Sequence, residues 1–250
     1  MSKLVKQNFR RNKKLFCNLR MYSIIEMRTY EAYPDKTQEY LKLVSNSTNI
    51  RKKYLGNEFK LFLGAETGYG TLSDFIHLYS YDNLDTRSKL RKSMNSDPEW
   101  KSFLETSRNC LKTQKSEIFV PAIIPNLNIK YFTHINTNDP SAVYEIRHYQ
   151  LRPGYDTIPM VLDIFSRGLP DKLAHCNDDS GSLILLAHSD ISVLNQFIEI
   201  WRYPSPIASI KHREASRKAL KWRESIADMA KITIEFKNRL MVPTTFSPLK

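Results

Sequence analysis

The chain has 250 residues, 41% of them hydrophobic, and its 38 basic against 26 acidic residues give a formal net charge of +12. That is enough apolar material for one or two buried cores, but no stretch approaches the roughly 18 uninterrupted apolar residues a spanning helix needs. The charge would point to nucleic acid if it lay on a folded surface. Instead Lys3, Lys6, Arg10, Arg11, Lys13, Lys14 and Arg20 all precede the first acid, Glu26, and the remainder carries 31 basic residues against 26 acidic. No nucleic-acid partner is expected of so balanced a body.

Residues 1–22 have the composition of a mitochondrial transit peptide. They are basic and free of acids, with Leu4, Val5, Phe9, Leu15 and Phe16 between the charges and no continuous apolar core of the secretory kind. The expected location is therefore mitochondrial, the matrix above all. Cys17 would leave with the presequence. Cys110 and Cys176 stand in no disulfide framework, catalytic motif or metal motif, and packing is the expected role of both.

Ile25 to Tyr33 alternates apolar and polar residues with period two, which predicts a strand with two distinct faces. Pro34-Asp35 then opens a helix with Leu41, Val44, Thr48, Arg51 and Leu55 on one side. Two apolar runs follow, Phe59 to Ala65 and Leu72 to Tyr81, separated by a hairpin loop that holds Gly68 and Gly70. A charged helical stretch from Leu84 to Leu111 is broken at Asp97-Pro98, and a last strand is predicted from Glu117 to Ile123. After a polar connector the order begins again. A strand pattern starts at Tyr144, Ile158, Leu162 and Phe165 mark a helix ending near Gly168 and Pro170, and strands follow at Ser182 to His188 and Val193 to Tyr203.

The two passes are the same sequence in outline. Glu26, Arg28, Tyr30 and Pro34 recur as Glu145, Arg147, Tyr149 and Pro153, at an offset of 119. Phe75, Tyr81, Arg91, Trp100, Val120 and Pro121 recur as Phe197, Tyr203, Arg213, Trp222, Val242 and Pro243, at an offset of 122. A period of that length is one small domain rather than a solenoid unit. We therefore divide the chain into a presequence (1–22), a first repeat (24–125), a linker (126–142) and a second repeat (143–250). Each repeat reads β-α-β-β-α-β, the ferredoxin-like order. A four-stranded sheet with both helices on one face leaves its other face bare, and two copies cover it by packing sheet against sheet. The predicted fold is α+β, with two tandem ferredoxin-like repeats of the dimeric α+β barrel kind forming one intramolecular barrel.

The opening Glu26-x-Arg28-x-Tyr30 with Pro34, the run Phe75 to Asn83, the stretch Arg87 to Trp100 and the ending Val242-Pro243-Thr244-Thr245-Phe246-Ser247-Pro248-Leu249-Lys250 resemble NIPSNAP-family proteins, in particular the third vertebrate type. The resemblance runs from Ile24 to the C-terminus. It implies a tandem dimeric α+β barrel, mitochondrial residence and no established reaction. The implied role is that of an adaptor or scaffold, with autophagy or other mitochondrial proteins as partners in mitophagy, or a part in vesicle traffic. The alternative is a small-molecule-binding or oxygenase-like barrel.

Strand parity places Glu26, Arg28 and Tyr30 on one face and Phe75, His77, Tyr79 and Tyr81 on one face, with Glu145, Arg147, Tyr149, Glu199 and Trp201 as second-repeat members. The aliphatic residues between them are expected to meet the helices, so this polar and aromatic set is expected to line the barrel interior. There it forms either a closed network that fixes strand register or a pocket for a small polar ligand, with His77 or Glu199 as acid or base. No cofactor and no metal are expected. His175-Cys176-Asn177-Asp178-Asp179 has no second cluster and reads as a polar loop, and Gly68-Tyr69-Gly70 is no phosphate loop. The tetrad Tyr40-Leu41-Lys42-Leu43 has the form that autophagy modifiers bind. The basic clusters around Arg91 and Arg213 read as solvated helix faces, with at most peripheral contact to acidic lipid, and further homo-oligomerisation stays open.

Overall fold

The computed structural model describes residues 23–133, 139–176 and 181–250. The first repeat contains β1 (Ile24–Ala32), α1 (Thr37–Asn46), α2 (Thr48–Leu55), β2 (Phe59–Gly68), β3 (Asp74–Tyr81), α3 (Leu84–Ser96), α4 (Pro98–Arg108) and β4 (Leu111–Pro121). The second contains β5 (Val143–Leu151), α5 (Thr157–His175), β6 (Ser182–Ile191), β7 (Gln196–Tyr203), α6 (Pro206–Ser216), α7 (Leu220–Ile232) and β8 (Thr233–Pro243). Residues 1–22, expected to be a presequence, and the cluster at Asn177 to Asp179 lie outside the described residues.

All eight strands close into one antiparallel barrel in the order β1-β3-β2-β8-β5-β7-β6-β4. Within each repeat the last strand, the first, the third and the second lie side by side. The repeats join where β2 meets β8 and β4 meets β6. The chain's end tightens the first of these seams. The Thr244 amide donates to the Phe62 carbonyl, Ser247 Oγ accepts from the Phe62 amide, and Leu249 is buried among residues of both repeats.

The two faces of the sheet are the reverse of what parity suggested. Ile25, Met27, Leu61, Leu63, Ile76 and Leu78 pack against Tyr144, Ile146, Leu185, Ile198, Ile200 and Met241 in one cluster drawn from both repeats, and that cluster is the barrel interior. Tyr30, Phe75, Tyr79 and Tyr81 instead join Tyr40, Val44, Ile50 and Trp100 of the first repeat's helices. In the same way Tyr149, Phe197, Trp201 and Tyr203 join Phe165, Leu169 and Trp222. Period-two alternation says which residues share a face but not which face looks inward. An eight-stranded barrel is just wide enough for side chains to fill, and aliphatic side chains fill its middle. The charged set therefore takes the face where helical side chains supply counter-charges.

Two elements run further than the pattern predicts. Helix α5 continues through Gly168 and Pro170 to His175. Gly168 permits close packing, because a Cβ there would stand 2.4 Å from Ser225 Oγ, and Ser225 donates to the Ile164 carbonyl. Strand β4 starts at Leu111, not Glu117, since its first half pairs with β1 alone and β6 reaches only Ile118 to Pro121. Lys112 to Ser116 are exposed along that half, so an alternating apolar signal is missing, and its lysines discourage pairing with another edge.

Candidate functional site

Each repeat holds a polar network between the outer face of its sheet and its helices, and the two networks match position by position. In the first, the fully buried Glu26 accepts from Arg87 of α3 at 2.7 Å, Arg91 of α3 at 2.9 Å, Ser116 at 2.7 Å and Tyr81 at 3.3 Å, with Arg28 Nε 3.8 Å away. Burial alone would raise the Glu26 carboxyl. Arg91, Arg87 and Arg28 overcome that and hold it down at about 2. Below this knot, Tyr79 receives a short hydrogen bond from the buried Arg51 of α2 and carries the Arg91 guanidinium 4.6 Å from its ring centroid. Arg51 also lies over Phe59, Phe62 and Trp100.

His77 sits in the middle of this layer, its ring 3.9 Å from that of Phe62 and 4.7 Å from that of Tyr30. Burial first, then the charges of Arg51, Arg28 and Arg91, push its pKa well below the usual imidazole value, so it stays neutral.

In the second repeat Glu145 accepts from Arg147 at 3.0 Å, Tyr203 at 3.0 Å and Asn238 at 3.2 Å, while Arg213 of α6 stands at 3.5 Å. Glu145 is again lowered against burial, chiefly by Arg147. Lys172 of α5 takes the place of Arg51. Its ammonium lies 3.9 Å from the Trp201 ring centroid, 4.4 Å from that of Trp222 and 3.8 Å from Glu199. Burial lowers it to about 8 despite the Glu199 charge. Glu199, at the position of His77, accepts from the Tyr149 hydroxyl and, at 2.8 Å, from Trp201 Nε1.

The repeats differ where α3 and α6 meet the sheet. Asn83 and Ser205 cap these helices at the same register, which puts Ser209 where the first repeat has Arg87. Arg87 closes over Glu26. Ser209 instead accepts from Arg213 Nη2 at 3.0 Å and so holds that arginine back from Glu145. Beside the second network is a cleft of about 790 Å3, lined by Glu145, Arg147, Tyr149, Arg213, Asn238 and Ser216, by the rim residues Arg217 and Arg223, and by an apolar wall that includes Trp222, Ile226, Met229, Ile234 and Phe236. Its size is that of a small-molecule site.

Parity puts the predicted residues of each repeat on one face, but the single interior set expected of them is two: Glu26, Arg28, Tyr30, His77 and Tyr79 form one network and Glu145, Arg147, Tyr149, Glu199 and Trp201 another. They meet helices rather than the barrel interior. Sequence reasoning missed Arg51, Arg87, Lys172, Ser209 and Asn238, and it read Arg91 and Arg213 as solvated. A signal for those two was present, since Arg91 and Arg213 recur at the offset of 122 that also relates Tyr81 to Tyr203. Of their neighbours, Lys89, Lys92 and Lys211 are indeed exposed, but His212 is buried against Trp201 and Tyr203. Tyr40 is buried in the helix layer, which makes its tetrad inaccessible to a modifier. Cys110 and Cys176 are buried free thiols, and no cluster of three metal-ligating side chains occurs among the described residues.

The comparisons with known proteins agree with this architecture. Protein NipSnap homolog 3A of Homo sapiens is 26% identical over 226 residues, covering 90% of this chain and 85% of that protein. Protein NipSnap of Drosophila melanogaster is 23% identical over 227 residues, covering 90% and 78%. A provisionally assigned monooxygenase of Fusobacterium nucleatum superposes with a TM-score of 0.59 at 14% identity, covering 89% of this chain and 92% of its own, a likeness of fold alone. The NIPSNAP family model matches residues 25–124 and 144–248, one match per repeat, and the chain belongs to the NIPSNAP family.

Proposed function

We propose that this NIPSNAP protein is a mitochondrial adaptor carrying a small-molecule binding site, not a catalytic centre, in its second repeat. The observation that carries the reading is the asymmetry of two otherwise matched networks: Glu26 is capped by Arg87 and Arg91, whereas Glu145 and Arg147 border a cleft. The side chains suited to moving protons are turned away from it. His77 is stacked in the first repeat, and Glu199 is fully buried on Tyr149, Trp201 and Lys172 rather than among the cleft residues. Support for mitochondrial residence comes from the acid-free basic composition of residues 1–22. Autophagy proteins as partners remain part of the proposal, without the Tyr40 tetrad as their contact.

Thermal melts of the intact protein with and without a small-molecule extract of mitochondria test the reading. A ligand at about 100 times its Kd adds about 2.7 kcal/mol, which for a chain of this size raises Tm by roughly 5–10 °C. Ala227→Trp fills the cleft from an exposed position on α7. It should leave the unliganded Tm within about 2 °C, as surface substitutions do, and abolish the shift. No shift in the wild type, or an equal shift in Ala227→Trp, would refute the assignment.

A further inference from the structure

We propose that the ligand of the second-repeat cleft is an amphipathic monoanion, a carboxylate on an aliphatic body of fatty-acid type. This inference rests on the cleft being a ligand site. Four guanidinia, those of Arg147, Arg213, Arg217 and Arg223, border it against the single carboxylate of Glu145. That carboxylate already accepts from Arg147, Tyr203 and Asn238, and Arg213 faces its remaining acceptor site at 3.5 Å, so a cationic ligand would meet guanidinium before it met a free carboxylate.

The donors, by contrast, are under-used. Arg147 Nε is buried without a hydrogen-bond partner, although Arg147 borders the cleft. Arg213 Nη1 reaches Glu145 only at 3.5 Å, the outer limit of a hydrogen bond, because Ser209 holds its other nitrogen. In the first repeat the matching arginine, Arg91, reaches Glu26 at 2.9 Å, and Arg87, which Ser209 replaces in the second, reaches it at 2.7 Å. A ligand carboxylate beside Arg147 and Arg213 would give Arg213 a closer acceptor than Glu145 at 3.5 Å, in the bidentate geometry guanidinium favours.

Exposure sets the ligand's direction. The floor is polar and closed, with Glu145 fully buried and Arg147 nearly so. The open lip carries Phe236, 52% exposed, and Ile234, 65% exposed, together with the rim residues Arg217 and Arg223, while Trp222 and Met229 form a buried wall between. The acid group lies on the floor and the aliphatic body runs outward past Trp222 and Met229 to Phe236, covering a ring that would otherwise face water.

Isothermal titration of the intact protein with dodecanoate, decanoate, octanoate, dodecanol and acetate, each below its micellar concentration, tests this. Saturable one-to-one binding of the carboxylates is expected, tightening about fourfold per added methylene. Dodecanol should bind at least tenfold more weakly than dodecanoate, and acetate should show no saturation. Arg213→Gln, at a side chain one-third exposed, should weaken dodecanoate about tenfold and leave dodecanol unchanged. Arg223→Gln at the rim should act in the same direction, less strongly, and is the arm to read if Arg213→Gln fails to fold.

Equal binding of dodecanol and dodecanoate, or Arg variants that weaken both alike, would overturn the anionic class while leaving the cleft as a ligand site. Acetate binding as tightly as dodecanoate would overturn the aliphatic body. If none of the chain compounds binds while the mitochondrial extract still raises Tm, the ligand class is wrong. If neither has any effect, the ligand-site reading falls with it.

Discussion

Glu26→Gln should destabilise the protein by about 3 kcal/mol at pH 6, and the deficit should vanish by about pH 2. The carboxyl is held at about 2 against an ordinary value of 4.5, and that difference corresponds to about 3 kcal/mol. The sign follows from the depressed acid: the contribution is fully present above pH 4.5, where both folded and unfolded carboxyls are ionised, and is lost as pH falls toward 2. A glutamine keeps the shape but not the charge, leaving Arg91, only 13% exposed, without its carboxylate. Arg28 and Arg87 are each about a quarter exposed and can turn to water, which keeps the cost at the lower end for a broken buried pair. Urea titrations of both proteins between pH 7 and 2 measure the gap. His77 and every other titrating group are common to the two proteins, so a deficit constant across that range would show that the Glu26 charge is not what holds the first network together.

Lys172→Met should cost clearly less than the roughly 3–5 kcal/mol of an ordinary broken buried pair, because the ammonium is lowered even with Glu199 beside it, and adding Glu199→Gln should keep stability within about 1 kcal/mol of wild type. Two opposing effects act at this pair. Burial lowers the ammonium to about 8, so carrying its charge into the helix layer opposes folding below that pH, and the penalty is relieved as pH rises from 8 toward 10.5. Against this, the ammonium sits between Trp201 and Trp222 and offsets the buried Glu199 charge at 3.8 Å. Methionine removes the desolvation penalty but strands the carboxylate, which then has Tyr149 and Trp201 as donors. Neutralising both members leaves a hydrogen-bonded amide beside a thioether of similar volume, the kind of exchange that is often neutral. A double-mutant cycle in urea reads the coupling directly. Additive single effects would mean that Lys172 and Glu199 are not a pair.

Much of this arrangement was legible in the sequence, and the rest was hidden for definable reasons. The repeat, the strand order and the grouping of Glu26 with Arg28 and Tyr30, or of Glu145 with Arg147 and Tyr149, follow from offset and period alone. Which face those groups occupy does not, because the interior of a closed barrel and the layer under a helix are both buried, and alternation cannot tell them apart. What decides is the partner. Arg87 and Arg91 come from a helix whose charged composition reads as solvent-facing, where a buried cation leaves no local mark, while Arg51 stands on the apolar side of its helix and Lys172 lies beyond the stop read at Pro170. The difference that opens the second cleft, Ser209 for Arg87, is a single substitution in an unremarkable helical turn, and its meaning appears only when Arg213 is seen to bend toward it. Helix α5 passing through Pro170 is a further case in which packing, here Gly168 against Ser225, overrides a local stop signal.

The central claim is that the second of the two networks is the ligand site. Hydrogen exchange of the intact chain with and without the mitochondrial small-molecule extract tests it most directly. Ligand should slow exchange in peptides from α6, α7 and the first half of β8 and leave β1 and α3 unchanged. Protection at β1 and α3 instead, or no protection around the cleft, would contradict it.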